Sequence, residues 1–333
     1  MAGRLWGGWL RKSACRQSRM AGAGVTTGRI ESLRHLSVGV RKHWQLYLII
    51  LLPVVYIVIF KYLPMHGVTL AFKDYQVRKG ILGSPWIGFR YVTMFVTAPS
   101  FWRLIWNTLS LSVYYLAARF PIPIILAIAL EQTHLVPFKK VVQTVTYAPF
   151  FISTVVMVSM IIQFTAPRTG IVNFLIVRLG GREVDWMASA EYFRSIYVWS
   201  GIWQYTGFNS IIYLAALSAI DPQLHEAAVI DGATRMRRIW HVDLPGIKPT
   251  IVILLIMNLG QIMNVGFEKV FLMQNAMNLS TSEILTTYVY KVGLVNMNYS
   301  FSTAVSLFNS VINCALIIGA NWVARSMGES SLW

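Results

Sequence analysis

Long apolar runs separated by short polar segments dominate the chain from Trp44 to about residue 325. Six stretches stand out, near residues 44–62, 104–130, 141–165, 194–220, 249–272 and 301–324. A helix crossing a hydrocarbon core of roughly 30 Å needs about 20 apolar residues, because each residue rises about 1.5 Å. All six stretches come close to or exceed that length, and the second and third are long enough to tilt or to extend beyond the bilayer. The pattern predicts an all-α integral membrane protein with six transmembrane helices. Pro121 and Pro123 fall inside the second stretch and Pro149 inside the third. A membrane helix tolerates them when neighbours or water satisfy the freed carbonyls, so they read as structural kinks.

Composition removes the ordinary alternatives. The chain has 333 residues, of which 56% are hydrophobic and 12 are tryptophan. With a mean hydropathy of +0.55, it holds more apolar surface than a soluble core requires, and the excess faces lipid. Lys and Arg number 29 against 13 Asp and Glu. A nucleic-acid binder would spread such bases along a soluble face, whereas here they stand between apolar runs, so membrane lipid and not nucleic acid is the expected contact. Cys15 and Cys314 form neither a disulfide framework nor a metal site.

Residues 1–43 form a polar lead with nine Lys and Arg, among them Arg4, Arg11, Lys12, Arg41 and Lys42, against Glu31 alone. The apolar run that follows is too long for a cleavable signal, so this lead reads as a basic tail, with a membrane domain over 44–325 and a short tail at 326–333. Six spans place both termini on one side, and the positive-inside rule puts that side in the cytoplasm. The segment 61–103 weakens the asymmetry, since it carries Lys61, Lys73, Arg78, Lys79, Arg90 and Arg103. A surface anchor for anionic lipid is one use the basic tail could serve.

The loop between the fourth and fifth stretches reads Asp221-Pro-Gln-Leu-His-Glu226-Ala227-Ala228-Val-Ile-Asp231-Gly232 and ends in Val242-Asp-Leu244-Pro245. Asp221 is a helix N-cap candidate with Pro222 at the first helical position, and Gly232 suits a left-handed C-terminal cap. A short surface helix is predicted between them. Arg235, Arg237 and Arg238 then place positive charge beside an apolar span, as a cytoplasmic connector requires. Taken alone, this would be an amphipathic interfacial helix.

The spacing carries more. A Glu-Ala-Ala triplet, three residues, a Gly, and nine residues before Val-x-Leu-Pro resemble the EAA loop of permease subunits of binding-protein-dependent ABC importers, over 221–245. Val242 replaces the usual Ile. Tyr62-Leu-Pro-Met-His-Gly67, Ala71-Phe-Lys-Asp-Tyr75, Ser84-Pro-Trp-Ile-Gly88, Asn107-Thr-Leu109 and Tyr213-Leu-Ala-Ala216 are similar to the polysaccharide or aldouronate-type branch found largely in Gram-positive bacteria. The likeness spans roughly 44–325. It implies a bacterial cell-membrane permease for oligosaccharides, partnered by a second similar permease, two cytosolic ATPase subunits and an extracellular solute-binding lipoprotein. It also implies that Glu226, Ala227, Ala228, Gly232, Leu244 and Pro245 build a coupling helix seated on the ATPase, with Glu226 meeting a basic residue there. The chain has no phosphate-binding Gly-x-x-x-x-Gly-Lys-Ser/Thr loop, so ATP and magnesium are expected on the partner. The permease itself is then non-catalytic and holds no cofactor or metal.

Polar residues inside spans are costly and face a cavity or another helix. Asn258, Gln261, Asn264 and Glu268 recur every three or four residues, which predicts one face of a fifth helix. Trp203, Gln204, Tyr205 and Asn209 in the fourth stretch mix rings with amides, suited to stacking on sugars and bonding hydroxyls. Trp203, Tyr205, Asn209, Asn258, Gln261 and Asn264 are therefore candidate path residues, although amides also serve as interhelical glue and rings as interface belts. Arg119, in the second stretch, calls for a carboxylate, carbonyl or water. A secondary transporter would usually show inverted repeats and intramembrane acids, and these spans contain almost no Asp or Glu. A membrane enzyme would need a catalytic cluster, and none is found. A small-sugar permease, or a non-catalytic sensor or assembly subunit, remains open.

Overall fold

A computed structural model describes residues 44–264 and 266–326. The basic tail 1–43, with Cys15, and residues 327–333 lie outside the described residues. The described residues fall into two compact units, divided between Gly67 and Val68. Apart from an isolated bridge between Lys73 and Trp86, all described secondary structure is helical.

The main helices are α1 (Trp44–Phe72), α2 (Phe101–Glu131), α3 (Val136–Phe151) and α4 (Thr154–Phe164). They are followed by α5 (Ala190–Ser218), α6 (Pro222–Ile230), α7 (Arg235–Leu259), α8 (Phe267–Met273) and α9 (Tyr299–Ser326). Of these, α1, α2, α7 and α9 are long and apolar enough to cross a membrane. Within α1, Trp44–Ile57 has no buried residue and is apolar on every side, as a lipid-facing helix must be.

Two expected spans differ from their sequence reading. The third is not one rod: α3 and α4 meet at 99°. Pro149 removes a helical N–H, residues 148–151 tighten into a 3-10 turn, and Ile152 and Ser153 are extended. Ser153 then caps α4, its hydroxyl accepting from Val156 N at 3.4 Å. The fifth, expected over 249–272, instead begins at Arg235, ends at Leu259 and resumes only as α8. Pro245 does not break α7, because the π-helical turn Ile239–Asp243 just before it absorbs the ring and the missing donor. The fourth, α5, has 29 residues but is more polar than the four apolar helices, through residues such as Ser200, Gln204, Asn209 and Ser210.

Helix α2 runs through all three apolar clusters of the second unit. Phe101 and Leu104 pack with Phe301 and Val305 of α9, and Leu111 with Phe193 and Val198 of α5. Ile124 and Ala127 pack with Tyr213, Leu217 and Ile247. Phe101, Leu104, Thr108 and Leu111 are spaced by three and four, with Asn107 and Ser112 buried beside them, so one face of α2 is buried. Lipid is as apolar as these side chains, so close fit and polar contacts hold the helices together. Gly207 of α5 is one such contact, since a Cβ there would run into the backbone carbonyl of Thr146 in α3. Asn278 is another. Its amide oxygen accepts from Asn275 N at 3.0 Å and Ser282 Oγ at 2.8 Å, and its Nδ2 donates to Met187 O and Met273 O.

Gly207→Ala is expected to lower the apparent melting temperature of the purified protein by several degrees, as overpacking costs about 1–3 kcal/mol. Gly319→Ala, where an added Cβ meets nothing within 4 Å, should leave it unchanged. Equal melting curves for the two variants would refute the close-contact reading of α5.

Candidate functional site: a polar cavity and a capped surface helix

Helices α2 and α5 and the segment from the end of α7 into α8 enclose a cavity of about 410 Å3, inside the size range of small-molecule sites, roughly 300–1,000 Å3. Its walls carry rings and amides around two cations, Arg119 and Lys269. Arg119 lies against the faces of Tyr115 and Tyr205, 4.9 and 4.8 Å from their centroids. With its oxygen turned toward Arg119, the Asn209 amide accepts from Nε at 3.3 Å and Nη2 at 2.9 Å. Lys269 is 7% exposed. Its ammonium donates to Tyr197 O at 3.0 Å and sits over the Tyr197 ring.

The break between α7 and α8 shapes this cavity. Irregular backbone at membrane depth is tolerated where it is buried in protein or lines a water-filled space, and its polar groups then need local partners. Asn313 of α9 supplies one, its side-chain oxygen accepting from Met263 N at 3.2 Å. Asn309 Nδ2 donates to Asn264 Oδ1 at 2.8 Å, and Asn264 Nδ2 donates to Gln261 Oε1 at 3.2 Å. The expected stripe Asn258, Gln261, Asn264 and Glu268 is thus not one helical face. Asn258 is on α7, Gln261 and Asn264 are in the break and Glu268 is on α8, yet all four line the cavity. The bend between α3 and α4 has a similar solution: buried Gln204 donates from Nε2 to Ile152 O at 2.9 Å.

Tyr205 and Asn209 line the cavity with them, whereas Trp203, on the same helix, is 51% exposed and does not. Residue-type reasoning could not separate these neighbours, because one step along a helix turns a side chain by about 100°. Lys269, Tyr115 and Tyr197 were not foreseen. A cation inside the apolar run 249–272 is the available signal for Lys269.

The loop after α5 folds as its residues require. The Asp221 carboxylate caps α6, accepting from Gln223 N at 2.9 Å, with Pro222 in the first turn. At the other end Ala233 N donates to Ala228 O and Gly232 N to Val229 O. This Schellman cap requires a left-handed residue, which Gly232 supplies at φ 75°. Glu226 and Ala227 are exposed, and Ala228 is half-buried. Leu244 and Pro245 open the α-helical part of α7. Below α6, buried Asp243 accepts from Gln132 Nε2 at 2.9 Å and lies 3.4 Å from His225 Nε2, tying α6 to α2 and α7.

The family of binding-protein-dependent transport system inner membrane components matches residues 67–329. The chain belongs to that family. Among its relatives in Bacillus subtilis (strain 168), protein LplB is 43% identical over 293 residues, covering 88% of this chain and 92% of LplB. The polygalacturonan/rhamnogalacturonan transport system permease protein YteP of the same organism is 43% identical over 303 residues, covering 91% of this chain and 94% of that protein. Among solved structures, a bacterial ABC transporter involved in the import of the acidic polysaccharide alginate aligns with a TM-score of 0.82 at 38% identity, covering 88% of this chain and 99% of that one. The same kind of transporter in complex with alginate pentasaccharide-bound periplasmic protein aligns equally well at 37% identity.

As a transport-system inner membrane component, the chain is a multi-pass bacterial membrane permease subunit without catalytic activity, and ATP hydrolysis belongs to a partner ATPase. Among the described residues no group of three or more His, Cys, Asp and Glu could hold a metal.

Asp243→Ala leaves Gln132 and His225 without their shared acceptor and is expected to destabilise the protein by about 1–3 kcal/mol. His225→Ala, at a longer and partly exposed contact, should cost less. Thermal unfolding of the purified variants checks the order, and the reverse order would remove Asp243 as the anchor of α6.

Proposed function

We propose that this subunit forms half of the translocation path of an ATP-driven importer of oligosaccharides, and that α6 couples the path to the ATPase. The observation that carries this reading is a connection. Helices α5 and α7 both contribute to the cavity wall, and the short segment that joins them is α6 with its EAA spacing. A push on α6 therefore reaches two cavity helices through covalent links and through the Asp243 contacts. Rings and amides on the wall suit a chain of sugars, and the names of the relatives point to polysaccharide-derived cargo.

In this reading the spans are α1, α2, the bent α3–α4 pair, α5, α7 and α9, with both termini and α6 in the cytoplasm. The basic lead and Arg235, Arg237 and Arg238 support that orientation. A second permease completes the path, two ATPases bind below, and an extracellular binding protein delivers the cargo. Glu226 is the charged contact to the ATPase, and Ala227 and Ala228 allow its close approach. Gly232 lets the chain turn back towards Leu244 and Pro245. Of the candidate path residues, Tyr205, Asn209, Asn258, Gln261 and Asn264 touch cargo. Trp203 meets lipid or the partner instead.

The test is ATP hydrolysis and sugar uptake by the reconstituted importer, with and without binding protein. Glu226→Ala should cut stimulated hydrolysis and uptake by roughly tenfold or more, as expected for an interfacial charge that loses its partner. Gly232→Pro should do the same, because proline cannot adopt the positive φ of that turn. Undiminished uptake by both variants, after normal assembly, would refute coupling through α6.

A further inference from the structure

We propose that Arg119 and Lys269 form a carboxylate-reading pair inside the cavity, which makes them specificity residues for oligosaccharides that carry acid groups. This rests on the reading of the cavity as the translocation path.

The first ground is the missing counter-charge. Among the described residues neither Arg119 nor Lys269 has a carboxylate within 4.0 Å. The acid on the cavity wall, Glu268, is exposed and pairs with neither cation, although it precedes Lys269 in sequence. Taking a charge out of water is costly unless an opposite charge compensates it, and apolar residues of similar volume are commonly as good or better for stability. Two uncompensated cations facing one cavity are therefore poor structural elements. They are sound elements of a site whose anion arrives with the cargo.

The second ground is unused hydrogen-bonding capacity. An ammonium carries three donors, and Lys269 directs one of them to Tyr197 O. Arg119 rests on neutral partners, two tyrosine faces and the Asn209 amide. A carboxylate binds a guanidinium more strongly than a neutral amide does, and with two parallel bonds. Tyr115, Tyr205 and Asn209 thus hold the guanidinium in place when the path is empty and yield it when an acid enters. An acidic oligosaccharide offers a carboxylate on successive sugars, so two cations can exchange partners as the chain moves.

The experiment measures direct binding by calorimetry to the assembled permease–ATPase complex without its binding protein, so that the selectivity of that protein does not enter. The probes are tetragalacturonate and the same tetrasaccharide with its carboxyls reduced to alcohols. Wild type should hold the acidic probe at least about tenfold tighter, the size of one charge-assisted hydrogen bond. Arg119→Gln and Lys269→Gln should each remove most of that preference. Arg119→Lys and Lys269→Arg, which keep the charge, should retain much of it. Only variants that co-purify with the partner permease and ATPase count, and the charge-keeping pair distinguishes lost charge from lost packing. Equal affinity for both probes, no binding of either, or an unchanged preference in the Gln variants overturns the proposal and leaves the importer reading intact. ATP-driven uptake of neither probe by the complete wild-type importer would bring down the importer reading itself.

Discussion

Every backbone N–H and C=O inside hydrocarbon must find a partner within the protein, and the rest of this structure follows from how that demand is met. Continuous helices meet it within themselves, which is why α1, α2, α7 and α9 can face lipid along much of their length. The two places where helices break are met from outside, by Gln204 beneath the bend at Ile152 and by Asn313 beside the break after Leu259. A break held in this way leaves a space beside it. The polar cavity lies against the second break, and Gln261 and Asn264 of the break line it.

Much of this was legible in the chain, for a physical reason. The cap at Asp221, the proline after it and the left-handed turn at Gly232 are local requirements, encoded by residues only a few positions apart. The apolar runs were equally plain, because lipid selects composition directly. What stayed hidden depends on distant partners. Pro149 is compatible with a kink or a full break, and only Gln204, far along the chain, favours the break. Pro245 sits near the start of the helical stretch Leu244–Leu259 and is accommodated by the π-helical turn just before it. The amide stripe from Asn258 to Glu268 was read with helical periodicity, and its members share a cavity although the helix between them is interrupted. The burial of Lys269 was hidden too, since it depends on what packs around the side chain.

The site also joins two scales. Around the cavity, contacts are short and polar, and a shift of one side chain changes which groups face the space. Around α6 the contacts are few. Asp243 is buried, and His225 and Gln132 meet it from different elements, so this contact fastens the surface helix to its neighbours. In the proposed coupling, such a lever would pass displacement to α5 and α7, the long helices on either side.

One feature of α6 bears on the life of the protein before it is assembled. Ile230, at its end, is 86% exposed, and Leu224 and Val229 are more than half exposed. Under the proposed topology these side chains face water rather than lipid, and a seated ATPase covers them. A copy made in excess of its partners would display an uncovered greasy knob beside a bilayer, the kind of surface that chaperones and membrane proteases engage. The same residues that dock the motor would then set the subunit's lifetime, so that its abundance follows that of the complex it serves.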